Sequence, residues 1–312
     1  MEFRKKEYTF IDLFCGIGSF HQSFKGHGWK CMMASDINKN ARDVYYENHG
    51  VKPQGDICLI DPKTIEHYDI VTAGFPCQPF SQCGLRKGFG EKRGTMFYQV
   101  MKFAEEKKDK DKPKFIILEN VQGLLKHNDG KTFNTMLLEI KKQGYLCTHK
   151  VLLCSDYGIP QLRKRLFVVC MRDDLEFADD SSIQSLDDLL NLDEFKKNVT
   201  LSEYLPEVGR FMERDYAFTL RCGGRASPLR DRHNWDGYVI TKGKVDRFGV
   251  THNFDIWEEY RLTHDAGLKL QGFPDIFKLS GSSSDKWDRL GNTIPTIFTK
   301  MIAKKINEVK FV

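Results

Sequence analysis

The sequence lacks several features that would assign it to common protein classes. No uninterrupted apolar stretch approaches the roughly 18 residues that a membrane span needs. The opening residues, MEFRKKEYTF, contain no apolar segment and no small-residue cleavage site, so we expect no secretory signal. The nine cysteines form no CxxC pair and no even spacing, which argues against a disulfide framework and against a zinc site. We therefore expect a protein of the reducing cytoplasm that binds no metal.

Composition permits a soluble enzyme but does not identify its partner. A chain of 312 residues with 40% hydrophobic and 29% charged residues can bury a core and form two domains. Lysine plus arginine number 48 and aspartate plus glutamate 43, an excess of five. That excess is compatible with a polyanionic partner and far too small to demonstrate one.

Residues 8 to 170 alternate between short apolar runs and amphipathic stretches, which is typical of repeated βαβ units. The predicted strands are YTFIDLF, WKCMMASD, DIVTAGF, FIILEN, residues 145 to 153 and residues 165 to 172. This order predicts an α/β fold with a parallel or mostly parallel sheet and helices on both faces. Residues 173 to 194 are interpreted as an exposed crossing between domains, although a solvated helix face explains them equally well. Residues 200 to 260 are interpreted as a small basic module and residues 293 to 309 as a final helix.

A glycine-containing turn follows the first predicted strand, in FIDLFCGIGSF. Gly16 and Gly18 would let a ligand approach the backbone closely, although a simple tight turn explains them equally well. Asp36 lies about 20 residues further on, where an acidic side chain commonly binds ribose hydroxyls. Asp56, with Ile57, either borders the same ligand or caps a turn. Because the third glycine of the dinucleotide motif is missing, a ligand without a pyrophosphate fits better, and S-adenosylmethionine is one.

Cys77 differs from the other cysteines because Pro76 and Pro79 flank it directly after a predicted strand. The prolines would present its thiol instead of burying it, whereas the other cysteines are expected to be small buried hydrophobes. A free thiol with a pKa of about 8.5 is mostly protonated at neutral pH. A nucleophilic role for Cys77 therefore calls for a nearby positive charge or hydrogen bond.

Three further charged residues lie at predicted strand ends. Glu119 ends FIILEN at the edge where ligands gather in such sheets, although a glutamate there is often only solvated or capping. Arg163 and Arg165 alternate in QLRKRLF and would share one face of the next strand, unless they only decorate an edge strand. The residues alone leave both alternatives open.

Together these segments resemble one family, the cytosine-C5 DNA methyltransferases, and especially the small enzymes of bacterial restriction–modification systems. The resemblance is carried, in order, by DLFCGIGSF, GFPCQPFS, ENV, QLRKRLF, LQGFPD and GNTIPTIF. It implies a Rossmann-like, S-adenosylmethionine-dependent methyltransferase domain made of residues 1–172 and 275–312. Residues 173–274 would form a small target-recognition domain.

The resemblance also implies the role of each site residue. The Cys77 thiolate would attack C6 of cytosine, Glu119 would hydrogen-bond N3, and Arg163 with Arg165 would hold the pyrimidine oxygen and organise the site. The implied S-adenosylmethionine contacts are Phe14, Gly16, Gly18, Asp36, Ile37, Asp56, Ile57, Pro76 and Asn292. Two positions depart from the family pattern: Ile37 replaces a common tryptophan, and Ser19 replaces a common glycine.

Double-stranded DNA is the partner that the resemblance implies. A stacked cytosine hides C6 from a thiol, so the base would be flipped into the pocket. The implied DNA contacts are Gln78, Ser81, Arg86 and Arg93 in a mobile loop, and Arg221, Arg225, Arg230, Arg232 and Asn234 in the basic module. We expect a monomer, and a restriction endonuclease that acts on the same site remains open as a partner.

Three other functions compete with this interpretation. An RNA-cytosine methyltransferase would share the chemistry, but its characteristic sequence after the catalytic loop is absent. A DNA-binding relative without turnover would have no need for the full set of Cys77, Glu119, Arg163 and Arg165. An N6-adenine enzyme would carry an Asp/Asn-Pro-Pro-aromatic motif, and the sequence contains none.

Overall fold

A computed structural model describes residues 7–76, 96–107, 111–209, 215–221, 239–243 and 256–312. The strands are β1 (Thr9–Leu13), β2 (Lys30–Ser35), β3 (Ile70–Ala73), β4 (Phe115–Asn120), β5 (Tyr145–Leu153), β6 (Lys164–Arg172), β7 (Val239–Gly243) and β8 (Ile256–Arg261). The α-helices are α1 (Ser19–Phe24), α2 (Lys39–His49), α3 (Met96–Glu105), α4 (Lys131–Lys142), α5 (Leu201–Tyr204), α6 (Pro206–Gly209), α7 (His264–Leu270), α8 (Ser283–Asn292) and α9 (Thr296–Glu308).

The main sheet has six strands in the order β2-β1-β3-β4-β6-β5. Strands β2, β1, β3 and β4 are parallel, and β6 runs antiparallel to β4. This arrangement confirms the predicted α/β fold with a mostly parallel sheet. Strands β7 and β8 form a separate antiparallel pair.

Burial explains why the apolar runs become strands. Every residue of β3 and of β4 is buried, as expected for parallel strands covered on both faces. Val71 and Ile116 belong to one core cluster with Phe103 of α3 and Ile140 of α4. The sheet is therefore a rigid support for the turns that follow its strands.

The chain divides into two compact units. The first contains residues 1–152, 165–192 and 299–312, and the second contains residues 153–164 and 193–298. These limits differ from the predicted domains, since residues 153–164 and 275–298 fall in the second unit and residues 173–192 in the first. The role of the second unit in target recognition stays a prediction.

The stretch predicted to be an exposed crossing turns several of its apolar residues into the interior. Ile183, Leu189 and Leu192 are almost fully inaccessible to solvent. Acidic residues between the leucines obscured the spacing of these apolar residues in the sequence. One of the acidic residues, Asp187, accepts a hydrogen bond from Thr148 at 2.5 Å. The prediction was therefore wrong for these apolar residues, which pack inward, whereas most polar residues of the stretch are exposed.

No helix within the described ranges is both long and apolar enough to cross a bilayer. The side chains of these ranges also bring no group of three or more His, Cys, Asp or Glu residues into position for a metal ion.

Candidate active site

The turn after β1 has three residues in the left-handed region. Phe14 has φ +53°, Gly16 φ +53° and Gly18 φ +93°. Such a conformation costs a non-glycine residue about 1 kcal/mol or more, and strained backbone concentrates at functional sites. A Cβ added to Gly16 would meet no atom within 4 Å, whereas one added to Gly18 would lie 2.3 Å from Nε2 of His49. Gly16 therefore borders open space, and Gly18 is required by packing.

Asp36 is bound directly to the glycine turn. The backbone N–H of Gly16 donates to its Oδ2 at 2.9 Å, and that of Asn38 donates to its Oδ1 at 2.8 Å. The guanidinium of Arg42 donates to the main-chain oxygen of Asp36 at 2.7 Å. Burial raises the pKa of Asp36, while these N–H donors and the charge of Arg42 act in the opposite direction. The structure thus brings together the two sequence features that were predicted to share a ligand.

The other residues predicted to contact the ligand of the glycine turn fall into two groups. Ile37 is 77% exposed, which is unusual for an isoleucine beside a backbone turn, and Pro76 is exposed as well. Asp56 caps a short 3-10 helix by accepting a hydrogen bond from Cys58 N at 2.9 Å, as the alternative interpretation proposed. Ile57 is buried in the core cluster. Ile37 is therefore more accessible to a ligand than Ile57.

Sequence reasoning missed Asp12, a carboxyl group in the middle of β1. Asp12 is 1% exposed, and burial raises its pKa to about 8. Its Oδ1 accepts a hydrogen bond from Thr72 at 2.9 Å, but within the described part of the chain neither its Oδ2 nor Oγ of Ser35 has a hydrogen-bond partner. Asp12 is opposite Ala34 and Leu13 is opposite Ser35 in the β1–β2 register, so these two unpaired atoms lie on opposite faces of the sheet and do not form one site. The available signal was an acidic residue inside the apolar run FIDLF.

Glu119 and Arg165 form an ion pair at the ends of two neighbouring strands. Arg165 Nε lies 2.9 Å from Glu119 Oε1, and their side chains are 13% and 10% exposed. Because β6 is antiparallel to β4 and Leu166 is opposite Asn120, the beginning of β6 lies beside the end of β4. An ion pair this sheltered is screened less by solvent than a surface pair. The geometry fixes the orientation of the Glu119 carboxyl group.

Asn120 connects the end of β4 to the segment after β3. Its Nδ2 donates to Phe75 O at 2.9 Å, and its Oδ1 accepts from Val121 N at 2.9 Å. Phe75 stands two residues before Cys77 in the sequence. Cys77 itself lies outside the described residues, as do the predicted DNA contacts Gln78, Ser81, Arg86, Arg93, Arg225, Arg230, Arg232 and Asn234.

Arg163 has different partners from Arg165. It is 1% exposed, and its guanidinium donates to main-chain oxygens of Leu220 at 2.7 Å, Gly291 at 2.9 Å and Thr293 at 2.7 Å. The expectation that strand alternation puts both arginines on one face does not apply, because β6 begins only at Lys164. The three carbonyl contacts favour a structural role over direct contact with a pyrimidine.

Two predicted site residues of the second unit are exposed. Asn292 is the last residue of α8. It lies between Gly291 and Thr293, whose main-chain oxygens accept hydrogen bonds from Arg163. Arg221 immediately follows Leu220, another of these acceptors. Both remain accessible to a ligand or to DNA.

The chain is similar to known proteins over most of its length. The family model for C-5 cytosine-specific DNA methylases matches residues 8–222. Type II methyltransferase M.HhaI of Haemophilus parahaemolyticus is 32% identical over 98% of this chain and 97% of its own length. Type II methyltransferase M.MspI of Moraxella sp is 35% identical over 96% of this chain and 71% of its own length.

Solved structures show the same fold at lower identity. The S. pombe Dnmt2 methyltransferase has a TM-score of 0.67 and 19% identity, covering 96% of this chain and 98% of its own. The Entamoeba histolytica methyltransferase EhMeth has a TM-score of 0.66 and 17% identity over the same shares. At such identities the likeness supports the Rossmann-like fold alone.

Proposed function

Since this chain belongs to the C-5 cytosine-specific DNA methylase family, we propose that it methylates a flipped-out cytosine in a specific duplex DNA sequence through a covalent adduct with Cys77. The Glu119–Arg165 ion pair supports this function most directly, because it presents an oriented carboxyl group at the sheet edge that leads to Cys77. A catalytic group needs such fixed geometry to act on one ring position.

Each residue has a defined task in this reaction. The Cys77 thiolate would form a bond to C6 of cytosine, and Glu119, once protonated, would donate a hydrogen bond at N3 so that the ring accepts the added electron pair. C5 would then carry the electron density for the new carbon–methyl bond, and the methyl group would come from S-adenosylmethionine with cleavage of its methyl–sulfur bond. Removal of the C5 proton by a general base would then break the C6–sulfur bond, release the thiolate and restore the aromatic ring. Arg165 acts in this sequence by holding Glu119 in place.

Asn120 would position the segment that leads to Cys77. Its hydrogen bond to Phe75 O joins β4 to the main chain that leads into Cys77. Glu119 and Asn120 are neighbours, so a single strand end orients the carboxyl group and also anchors the segment that carries the nucleophile. This arrangement would limit the distance that the two catalytic groups can move relative to each other.

The residues around the glycine turn fit S-adenosylmethionine, which supplies an electrophilic methyl group on its sulfonium when bound. Open space beside Gly16 admits a ligand close to the backbone. Asp36 is suited to ribose hydroxyls, and Ile37 offers an exposed apolar surface to an adenine ring.

Methyl transfer from tritiated S-adenosylmethionine tests the function. The wild-type protein should label duplex DNA, and Cys77→Ala should abolish labelling because no other group forms the bond to C6. Cys147→Ala is the matched control, since that half-buried thiol lies outside the site and its removal should leave labelling intact. Label in tRNA alone would overturn the choice of substrate, and full labelling by Cys77→Ala would overturn the choice of nucleophile.

A duplex containing 5-fluorocytosine tests the covalent step separately. Fluorine at C5 cannot leave as a proton does, so the adduct with Cys77 should accumulate and survive denaturing electrophoresis. The Cys77→Ala variant should give no shifted band. A wild-type protein that methylates DNA yet forms no such adduct would contradict covalent catalysis.

A further inference from the structure

The glycine turn contacts a group of stacked rings from α1 and α2, which we call the histidine cluster: His21, Tyr45 and His49. The rings of His21 and His49 stack with centroids 4.3 Å apart and planes 15° apart. Tyr45 packs against the His49 ring with its centroid at 4.7 Å, and its hydroxyl lies 2.7 Å from Nδ1 of His21. His49 is therefore held in place by the other two members.

His49 contacts the turn in two ways. Its Nε2 lies 3.3 Å from Ile17 O, and because a carbonyl oxygen only accepts, Nε2 is the donor. The same ring occupies the space that a side chain at position 18 would need, with Nε2 at 2.3 Å and Cδ2 at 2.7 Å from an added Cβ of Gly18. Movement of this ring would therefore break the hydrogen bond to Ile17 O and remove the ring that lies beside Gly18.

The charge state of the cluster agrees with this packing. Burial lowers the pKa of His21 to about 3 and that of His49 to about 4, and for His21 the neighbouring His49 adds to the effect. Both imidazoles are therefore uncharged at neutral pH. Uncharged rings stack without repulsion, and a neutral imidazole still carries the one N–H that Ile17 O requires.

We propose that His49 is a positioning residue for the cofactor, whose ring and hydrogen bond fix the backbone from Gly16 to Gly18 in the conformation that receives S-adenosylmethionine. The inference rests on the proposed function, which assigns this turn to that ligand. Gly16 N–H also donates to Asp36, so the backbone held by His49 is continuous with the carboxylate suited to the ribose. A displaced turn would thus disturb both groups together.

Binding of S-adenosylmethionine to His49→Ala, measured by titration calorimetry without DNA, tests the proposal. Loss of one hydrogen bond and of the ring that supports the turn should raise the dissociation constant about tenfold. The KM for S-adenosylmethionine should rise in parallel while kcat changes less than about twofold. Added imidazole should restore part of the affinity by refilling the space. Tyr46→Ala, on an exposed position of the same helix, is the control and should bind like the wild type.

A second pair of variants separates positioning from general damage. Gly18→Ala should weaken binding strongly when His49 is present, and less in the His49→Ala background, where the nearest remaining atom is Tyr45 Cδ2 at 3.0 Å. Strictly additive effects would contradict the contact. If His49→Ala does not fold, His49→Phe keeps a ring without the donor and should still bind more weakly.

The outcomes distinguish this inference from the function on which it rests. A wild-type protein that binds no S-adenosylmethionine would refute the proposed function itself. A wild-type protein that binds it, together with folded His49→Ala and His49→Phe variants that bind equally tightly, would refute only the role of His49.

Discussion

Arg163 and Arg165 stand two residues apart, and the structure predicts opposite consequences for their substitution. Arg163→Met removes a buried guanidinium that donates to three main-chain oxygens of the second unit. A hydrogen bond from a charged donor contributes about 1.5–3 kcal/mol, and the acceptors left behind are buried. Because neighbouring losses are not additive, we expect a total of about 4 kcal/mol. That corresponds to a fall of about 10 °C in the melting temperature.

Arg165→Lys should lower the methyl-transfer rate and leave stability nearly unchanged. An ammonium group preserves the charge opposite Glu119, so the melting temperature should stay within about 2 °C of the wild type. The lysine lacks the planar fork that fixes the Glu119 carboxyl group, and methyl transfer should fall at least about tenfold.

Differential scanning calorimetry and methyl-transfer rates at 15 °C check both expectations. At that temperature the folded fraction of Arg163→Met should retain most of its kcat. A variant at Arg163 with an unchanged melting temperature and no activity would refute the structural role and restore the predicted contact with the pyrimidine. A large loss of stability in Arg165→Lys, with its activity intact, would refute the assignment of Arg165.

Three further substitutions test other parts of the structure. Asn120→Ala removes the donor to Phe75 O and should lower kcat about tenfold with little change in melting temperature, and an unchanged kcat would contradict its anchoring role. His21 has a folded pKa of about 3, so as the pH falls below 6.5 only the unfolded chain binds its proton and stability is lost. Between pH 7 and pH 5 this loss is about 2 kcal/mol, and urea unfolding of His21→Phe should show that much less acid sensitivity. The raised pKa of Asp12 acts with the opposite sign in both proteins and cancels from the difference. Leu189→Ala should cost about 3 kcal/mol in thermal unfolding if residues 173–192 are part of the core, and a loss below about 1 kcal/mol would show that they are not.

The strands were predictable because burial on both faces requires consecutive apolar residues, which can be read directly from the sequence. FIILEN is apolar for four consecutive residues, and all six of its residues are buried in β4. Asp36 was predictable for a similar reason, since its spacing from the glycine turn follows from the length of one βαβ unit. Local pattern therefore identified the sheet and much of the edge where the site lies.

No local sequence pattern indicates the role of Arg163. Its acceptors lie 57, 128 and 130 residues away in the sequence, so only the folded chain reveals them. The role of His49 was not predictable either. Its ring lies beside Gly18, which is 31 positions earlier and has no side chain that could contribute to a sequence pattern. In residues 173–192 the acidic residues masked the inward-facing leucines. Cys77 lies outside the described residues, and its role stays a prediction.

The three oxygens bound by Arg163 belong to the main chain, which every amino acid possesses. Substitutions of the side chains at Leu220 or Thr293 would leave these acceptors unchanged as long as the backbone kept its path. The second unit could therefore exchange its side chains while keeping this anchor intact. In this way one buried arginine would make the second unit tolerant of sequence change.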